Sequence, residues 1–217
     1  MKRRGFAVTV SRQMGSGGDY IAYQTAKELG FMYLDREILR RAAGRLGRDQ
    51  RLLESREERS GGLIDSIIRA FSMGAPETYS LPEAPAVYDR DLFDAESRVI
   101  KEIVDGHDAV VLGRGGFHVL KNMPRAVHVF VHAPLEFRTQ RIMRVKNMTR
   151  MGEARALIEE SDRRRAKFIR DMCRTEWADA RNYHFCVDSS AAGFPACVQM
   201  IVRLVNKARP ESETEPC

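Results

Sequence analysis

The sequence predicts an α/β fold in which a parallel sheet is covered by helices on both faces. Apolar runs of four to six residues alternate along the chain with segments whose apolar residues recur at helical spacing. Strands that are apolar throughout are typical of parallel sheets with two buried faces. Two of these runs lead directly into glycine-rich turns, and α/β sheets bind their ligands at such strand ends. A length of 217 residues suits one domain of this kind.

The first 35 residues predict a strand, a glycine turn, a helix and a second strand. Residues 6–10 are apolar and rich in β-branched side chains, and residues 21–29 carry apolar side chains at helical spacing. Gly30 is the expected stop of the helix, and residues 31–34 resume as a strand that ends at Asp35. This order indicates a βαβ unit.

The remainder of the chain continues the alternation, with one irregular stretch. Glycines and prolines between residues 61 and 85 predict a loop that contains a short helix at 63–71. Further helices are expected at 38–53, at 92–104, after Pro134 and at 196–205. Further strands are expected at 109–112, 127–131 and 185–187, the last as a central strand.

The composition predicts a soluble protein with anionic partners. Hydrophobic residues make up 43% and charged residues 30%, and the net charge of +6 is carried mainly by arginine, whose planar fork pairs with phosphate. No apolar stretch approaches the ~18 residues of a membrane helix, and the first apolar run is interrupted too early for a signal peptide. The four cysteines and five histidines show no metal-ligand spacing. We therefore expect a cytoplasmic protein with reduced thiols and no metal held by these side chains.

The first glycine turn has the features of a phosphate-binding turn. It reads SRQMGSGGDYIA over residues 11–22, between a strand and a helix, where backbone N–H groups and the helix dipole attract an anion. In the standard motif GxxxxGK(S/T), the lysine binds the terminal phosphates and the hydroxyl binds magnesium. Gly17 fits the second glycine, while Arg12, Gly18 and Asp19 stand in place of the first glycine, the lysine and the hydroxyl. A tight turn without a ligand is the alternative.

These departures from the motif change the charge of the turn. Asp19 is either a first-turn carboxylate favoured by the helix dipole or a magnesium ligand, and both interpretations stay open. Positive charge for phosphates could come from Arg12 or from residues 138–174, which contain twelve Lys or Arg against five Asp or Glu. The alternative for that segment is a solvated helix face, because helical spacing cannot place all of residues 163–165 on one side.

Two more polar clusters follow predicted strands, Asp35-Arg36 and residues 113–116. The carboxyl ends of parallel strands meet at one sheet edge, so both clusters are expected near the glycine turn. For Asp35 and Arg36, the alternative is a helix N-cap followed by a solvated residue. Arg114 stands between glycines, where packing gives little reason for an arginine, and is a candidate phosphate ligand.

The sequence resembles the cytidylate-kinase-like family, relatives of bacterial cytidylate kinase among the P-loop nucleoside monophosphate kinases. The likeness covers nearly the whole length. It is carried by Ser11-Arg12 before a GSGG turn without lysine, by Tyr33-Leu34-Asp35-Arg36, and by Val111-Leu112-Gly113-Arg114-Gly115. The chain differs from the family in having Asp19, where a basic residue is common, and from cytidylate kinases proper in having Gly115 instead of aspartate.

The resemblance implies one kinase-like domain over residues 1–217, with a P-loop NTPase-like parallel sheet flanked by helices. It also implies an acceptor-binding insert at about 36–105 and an arginine-rich helical lid at 138–180. The implied activity is phosphoryl transfer from ATP, with Mg²⁺, to a nucleoside monophosphate, and cytidylate is the first candidate. The implied donor-site residues are Gly15, Ser16, Gly17, Gly18, Asp19 and Tyr20. The implied acceptor-site residues are Asp35, Arg36, Gly113 and Arg114, and the implied catalytic residues are Arg12, Arg141, Arg163 and Arg164.

Two other classes of function are also considered. Gly18 and Asp19, which replace lysine and a hydroxyl, suggest a non-catalytic nucleotide-binding or regulatory protein that binds without turnover. The net charge and the arginine run suggest nucleic-acid binding, although the chain shows no nucleic-acid motif and few interleaved aromatic residues. Steep salt dependence of oligonucleotide binding would favour the latter class.

Overall fold

The computed structural model describes residues 5–40, 42 and 90–209. The helix expected at 38–53, beyond its first residues, lies outside the described residues, as does the loop with a short helix at 63–71. Most of the expected acceptor-binding insert lies outside them for the same reason.

The described residues form a five-stranded sheet with the strand order β2-β3-β1-β4-β5. The strands are Ala7–Arg12 (β1), Met32–Leu34 (β2), Ala109–Leu112 (β3), Ala126–His132 (β4) and Phe185–Asp188 (β5). Every pair of neighbouring strands is parallel. The predicted α/β fold with a parallel sheet is confirmed.

Helices connect the strands and cover the sheet. They are Gly18–Leu29 (α1), Arg90–Gly106 (α2), Gly116–Val119 (α3), Leu135–Val145 (α4), Met151–Cys173 (α5), Ser189–Ala192 (α6) and Phe194–Ala208 (α7). Residues 36–40 are also helical, and Ala180–Asn182 form a 3₁₀ turn. Among the described helices, none combines the length and the apolar character needed to cross a bilayer.

Side chains of the central strand β1 enter two separate cores, because successive residues of a strand point to opposite faces. Val8 and Val10 pack in the core that includes the buried residues of α1 and α7. Ala7 packs in the core that includes Val99, Ile100 and further buried residues of α2. Both faces of β1 are therefore dry, which explains its continuous apolar sequence.

The sheet order corrects the prediction for residues 185–187. The sequence suggested a central strand, but β5 pairs only with β4 in the described sheet and lies at its edge. Val187 is buried while the neighbouring Cys186 is exposed. A short run of three residues does not reveal whether a strand has one neighbour or two, because that depends on distant pairing.

The register of β1, β2 and β3 brings the three polar clusters to one edge of the sheet. Val10 is level with Leu112, and Leu34 is level with Val111. The glycine turn follows β1, Asp35 follows β2 and Gly113 follows β3. The site predicted from the sequence is therefore assembled from segments that are up to 100 residues apart.

Candidate functional site

The glycine turn between β1 and α1 is built on left-handed backbone conformations. Gly15 has a φ of 84° and Gly17 a φ of 78°, values that residues with a side chain rarely adopt. Ser16 is fully buried, and its hydroxyl donates to the carbonyl of Gln13 at 2.8 Å. This serine hydroxyl therefore closes the turn and shapes its backbone.

An ion pair between α4 and α5 braces the turn from outside. Asp162 accepts a hydrogen bond from the backbone N–H of Met14 at 2.9 Å and forms an ion pair with Arg138 at 2.7 Å. The Arg138 guanidinium, itself buried, also donates to the carbonyls of Met14 and Ala133. This role was not predicted from the sequence, although an acidic residue directly before three arginines was a usable signal.

Arg12 and Asp19 form an ion pair across the start of α1. The Nε of Arg12 donates to Asp19 Oδ1 at 2.6 Å, and the Asp19 side chain is 45% exposed. Desolvation raises the pKa of Asp19, but the charges of Arg12, Arg165 and Arg141 outweigh it and hold the pKa below its ordinary value. Asp19 is thus a carboxylate at neutral pH, surrounded by guanidinium groups.

Among the three consecutive arginines of α5, Arg165 is the one that reaches the glycine turn. Its Nη1 donates to the carbonyl of Arg12 at 3.1 Å and lies 3.5 Å from Asp162. Burial, followed by repulsion from Arg12, lowers the pKa of Arg165 to about 10, so the group stays charged at neutral pH. Arg163 and Arg164 instead pair with Glu160 at 2.8 and 2.6 Å. The two arginines expected to be catalytic therefore form ion pairs with a carboxylate of α5 itself.

Arg141 lies beside the glycine turn, next to an aromatic cluster. Its guanidinium is 5.1 Å from the ring centroid of Phe194, and its charge lowers the pKa of Asp19. The Phe194 ring fills the space that a Cβ at Gly17 would need, and it lies 6.0 Å from the half-exposed ring of Tyr20. The structure thus places both Arg141 and Tyr20 beside the turn, and their roles in binding or catalysis stay predictions.

Arg114 is held by a buried carboxylate that the sequence analysis did not find. Its Nε and Nη2 both donate to one oxygen of Glu96, with an Nε to Oε2 distance of 2.6 Å, and its guanidinium lies 4.6 Å from the ring centroid of Phe168. Glu96 is 1% exposed. Burial raises the pKa of Glu96 overall, although Arg114, Arg36 and Arg40 act to lower it. An acidic residue on the apolar face of the predicted helix 92–104 was the missed signal.

Asp35 has the capping role that was the alternative for it. Its carboxylate accepts the backbone N–H of Ile38 at 3.0 Å, at the start of the helical residues 36–40. Arg36 is partly buried, and its charge acts on Glu96. Of the expected acceptor-side residues, Arg114 is bonded to Glu96 and Arg36 acts on it through its charge.

A pocket lies between the ends of β1 and β3 and the helix α5. Its lining residues are Ser11, Arg12, Gly113, Arg114, Gly115, Arg165, Phe168, Ile169 and Trp177. Three of them are arginines that come from three different elements, and the aromatic residues supply an apolar wall. Converging guanidinium groups bind the oxygens of a phosphate through charge-assisted hydrogen bonds. Within the described part of the chain, no three His, Cys, Asp or Glu side chains converge to hold a metal ion unaided.

A parallel sheet with a glycine turn after its central strand and arginines around that turn defines an α/β protein with a P-loop kinase-like fold. Residues 7–191 match the model of the cytidylate kinase-like family, and the chain belongs to that family. Its members are expected to bind nucleotides and to transfer phosphoryl groups. No curated protein is a significant match to this sequence.

Solved structures support the fold. An uncharacterized protein from Eubacterium ventriosum is similar with a TM-score of 0.69 and 16% identity, covering 93% of this chain and 98% of that chain. A protein from Thermus thermophilus is similar with a TM-score of 0.50 and 17% identity, covering 96% and 100%. The shikimate kinase of Acinetobacter baumannii, in complex with shikimate, matches with a TM-score of 0.46 and 15% identity over 97% and 96%, which is too low to support an inference. At these identities, the likeness concerns the fold alone.

Proposed function

We propose that the protein transfers the terminal phosphoryl group of ATP to a nucleoside monophosphate, with cytidylate as the first candidate. The observation that carries this proposal is the pocket in which Arg12, Arg114 and Arg165 converge beside the glycine turn. Membership of the cytidylate kinase-like family supports the choice of substrate class. The acceptor oxygen bonds to the terminal phosphorus as the bond to the leaving ADP oxygen breaks, so no protein nucleophile is needed.

The donor phosphates would bind at the glycine turn. The N–H groups of Gly15, Gly17 and Gly18 would face the ligand, while that of Ser16 donates to the carbonyl of Gln13, and the helix dipole adds positive potential. Arg12 and Arg165, with Arg141 nearby, would neutralise the charge that develops on the transferred group. Tyr20 would contact the donor at the exposed rim of this site.

The acceptor phosphate would bind to Arg114. The hydrogen bonds of its guanidinium within the described structure use Nε and Nη2, which leaves Nη1 for the pocket. Glu96 would hold the guanidinium in this orientation, and the absence of a side chain at Gly113 leaves space for the guanidinium of Arg12. Arg36 adds a second positive charge on the acceptor side.

Magnesium fits the site as a companion of the donor phosphates. Magnesium is usually bound by one or two carboxylates together with substrate phosphates. Asp19 is an ionised, half-exposed carboxylate at the turn and would be the protein ligand. The ion would supply charge neutralisation for the phosphates, and Asp19 next to a bare phosphate would otherwise repel it.

The test is ATP consumption by the purified protein with Mg²⁺ and each of a panel of nucleoside monophosphates. The double variant E96A/R114A removes the buried ion pair without leaving an orphaned charge. Its matched control is R155A/E159A, which removes an exposed ion pair from α5. We expect acceptor-dependent turnover to fall by about 100-fold or more in E96A/R114A and to stay at the wild-type level in the control. Equal turnover in all three proteins would reject the role of Arg114.

A second candidate is nucleotide binding without catalysis. The carboxylate of Asp19, paired with Arg12 where the standard motif has a hydroxyl, favours this alternative. It predicts measurable ATP binding with no turnover of any acceptor. That outcome in the same assay would replace the proposed activity with a regulatory role.

A further inference from the structure

Gly18 differs from the other glycines of the turn because its backbone does not require glycine. Gly15 and Gly17 have φ values of 84° and 78°, whereas Gly18 is absent from the residues with positive φ and begins α1. An alanine or a lysine could adopt its backbone conformation without strain. The reason for glycine at this position must therefore be found in the surroundings.

The side chain of Arg12 occupies the space where a side chain at Gly18 would begin. A Cβ built on Gly18 would overlap the Cβ of Arg12 and would lie 2.8 Å from its Cγ, while its distance of 3.4 Å to the Cβ of Val131 is an ordinary contact. Arg12 cannot easily move aside. Its backbone is paired with β4, its carbonyl is held by Arg165, and its Nε is bound to Asp19.

A second glycine is also shaped around Arg12. A Cβ built on Gly113 would lie 2.5 Å from Nη1 of Arg12. The Cβ and Cγ of Arg12 thus lie against Gly18, on the donor side, and its Nη1 lies against Gly113, on the acceptor side. A guanidinium in this position lies between the two phosphate-binding clusters of the pocket.

The standard motif has the opposite arrangement. In GxxxxGK(S/T) the first position is a glycine, and the residue six positions later is the lysine that binds the terminal phosphates. Here the first position is Arg12 and the lysine position is Gly18. Because the two Cβ positions overlap, only one of the two residues can carry a side chain in this backbone.

We propose that Arg12 and Gly18 are a coupled exchange that relocates the phosphate-binding cation of the turn. Arg12 supplies the positive charge that the standard motif places at the lysine position, and Gly18 lacks a side chain because Arg12 fills that space. The proposal rests on the proposed function in one respect, that this turn binds the phosphates of a nucleoside triphosphate. Arg12 is not the only cation there, since Arg165 and Arg141 also act on the carboxylate of Asp19.

The coupling is tested first by stability, without any ligand. G18A is introduced into the wild type, into R12A and into R12G, and the denaturation midpoint of each protein is measured in urea. R12A keeps the Cβ at position 12 that overlaps a Cβ at position 18, while R12G removes it. We expect G18A to lower the midpoint in the wild type and in R12A, because the two Cβ atoms overlap in both. In R12G we expect G18A to leave the midpoint unchanged or to raise it, because alanine is a better helix former than glycine. An equal shift in all three backgrounds would overturn the coupling.

The relocation of charge is tested by binding of MgATP to the same series. We expect R12G to bind at least about tenfold more weakly than the wild type, because a charge-assisted contact is lost. R12G/G18K should recover a substantial part of this loss, and R12G/G18A should recover none of it. Equal affinities of R12G/G18K and R12G/G18A would overturn the relocated cation.

The two tests separate this proposal from the proposed function. If the wild type binds neither MgATP nor another nucleoside triphosphate, the proposed function fails and the relocated cation fails with it. The coupled packing is then judged by the denaturation midpoints alone. If the wild type binds MgATP but transfers no phosphoryl group, the binding series still decides the role of Arg12.

Discussion

At the scale of single residues, the ion pairs of the protein differ widely in their exposure to solvent. The Glu96 and Arg114 side chains are 2% and 13% exposed, whereas Arg155 and Glu159 are 59% and 50% exposed. A buried charge that loses its partner is costly, while an exposed pair contributes little. The buried pair therefore fixes the position of Arg114, and the exposed pair serves as the control when the effects of substitutions are compared.

Removal of one partner of the buried pair should destabilise the protein strongly. We expect R114A to lower the free energy of unfolding by about 3 kcal/mol or more, because Glu96 becomes an unpaired buried charge. E96A/R114A should be less destabilised than the sum of its single variants. Urea denaturation measures both, and R155A should change stability by less than about 1 kcal/mol. Additive effects of E96A and R114A would show that the two side chains do not depend on each other.

A buried histidine on β4 makes stability depend on pH. The ring of His128 stacks on that of His184, with ring centroids 4.9 Å apart, and its Nδ1 forms a 2.9 Å hydrogen bond with the Thr9 hydroxyl. Burial, and then the charge of His184, lower the pKa of His128 to about 4. The folded state therefore binds fewer protons than the unfolded state between this value and about 6.5.

Stability should consequently fall as the pH falls below about 6.5, since the unfolded state gains the proton first. Each pH unit in this window costs about 1.4 kcal/mol, so the change from pH 6.5 to pH 5 should remove about 2 kcal/mol. Urea denaturation at several pH values measures the slope. H128N should lose most of it. A slope that is the same in H128N and the wild type would assign the pH dependence to other groups.

At the scale of elements, the helix α5 connects the arginine-rich segment to the glycine turn. Asp162 and Arg165 both contact the turn, while the face that carries Arg163 is exposed. Successive residues of a helix point about 100° apart, so a shift of one or two positions decides which arginine reaches the phosphates. The behaviour of residues 138–180 as a lid stays a prediction.

Arg163 and Arg165 offer a matched comparison on one helix. We expect R165A to reduce phosphoryl transfer by about 10- to 1,000-fold, because it removes a positive charge beside Arg12. R163A should change the rate by less than about threefold, because it removes only an exposed pair with Glu160. The rates are measured with saturating ATP and the best acceptor of the panel. A larger loss of phosphoryl-transfer rate in R163A than in R165A would assign the catalytic role to Arg163, as the sequence implied.

At the scale of the whole molecule, the sheet order gathers three distant segments into one binding edge. β1 lies between β3 and β4, so the glycine turn is next to the glycines that follow β3. A ligand that bridges these segments would bind only the folded chain. Such binding stabilises a protein by mass action.

Nucleotide should therefore raise the unfolding temperature, and nucleic acid should not compete strongly for the site. MgATP at 100 times its Kd should add about 2.7 kcal/mol to the free energy of unfolding. Differential scanning fluorimetry measures the shift. Binding of an oligonucleotide would reflect the net charge of +6 and should decline steeply with salt. Oligonucleotide binding that declines steeply with salt, together with no effect of any nucleotide, would instead support a nucleic-acid-binding protein.

Much of the fold and part of the site follow from local patterns. The strands at β1, β3 and β4 and the turn at residues 15–18 were predictable, because apolar runs and glycines report local backbone preference. The sequence also indicated that Arg12 could replace the missing lysine. Glu96 could have been found as an acidic residue among apolar neighbours of a helix. Its partner Arg114, 18 positions away, could not be assigned from spacing.

The sequence by itself determined the class of fold, the position of the glycine turn and the family resemblance, because these depend on short-range periodicity and on motifs. Only the tertiary structure decided that β5 is an edge strand and that Arg165 is the arginine of α5 beside Arg12. It also decided that the Arg12 side chain fills the space that a side chain at Gly18 would need. These features depend on how a helix is rotated and which strands pair. Packing and pairing between segments that are distant in the sequence set both, and local spacing does not report them.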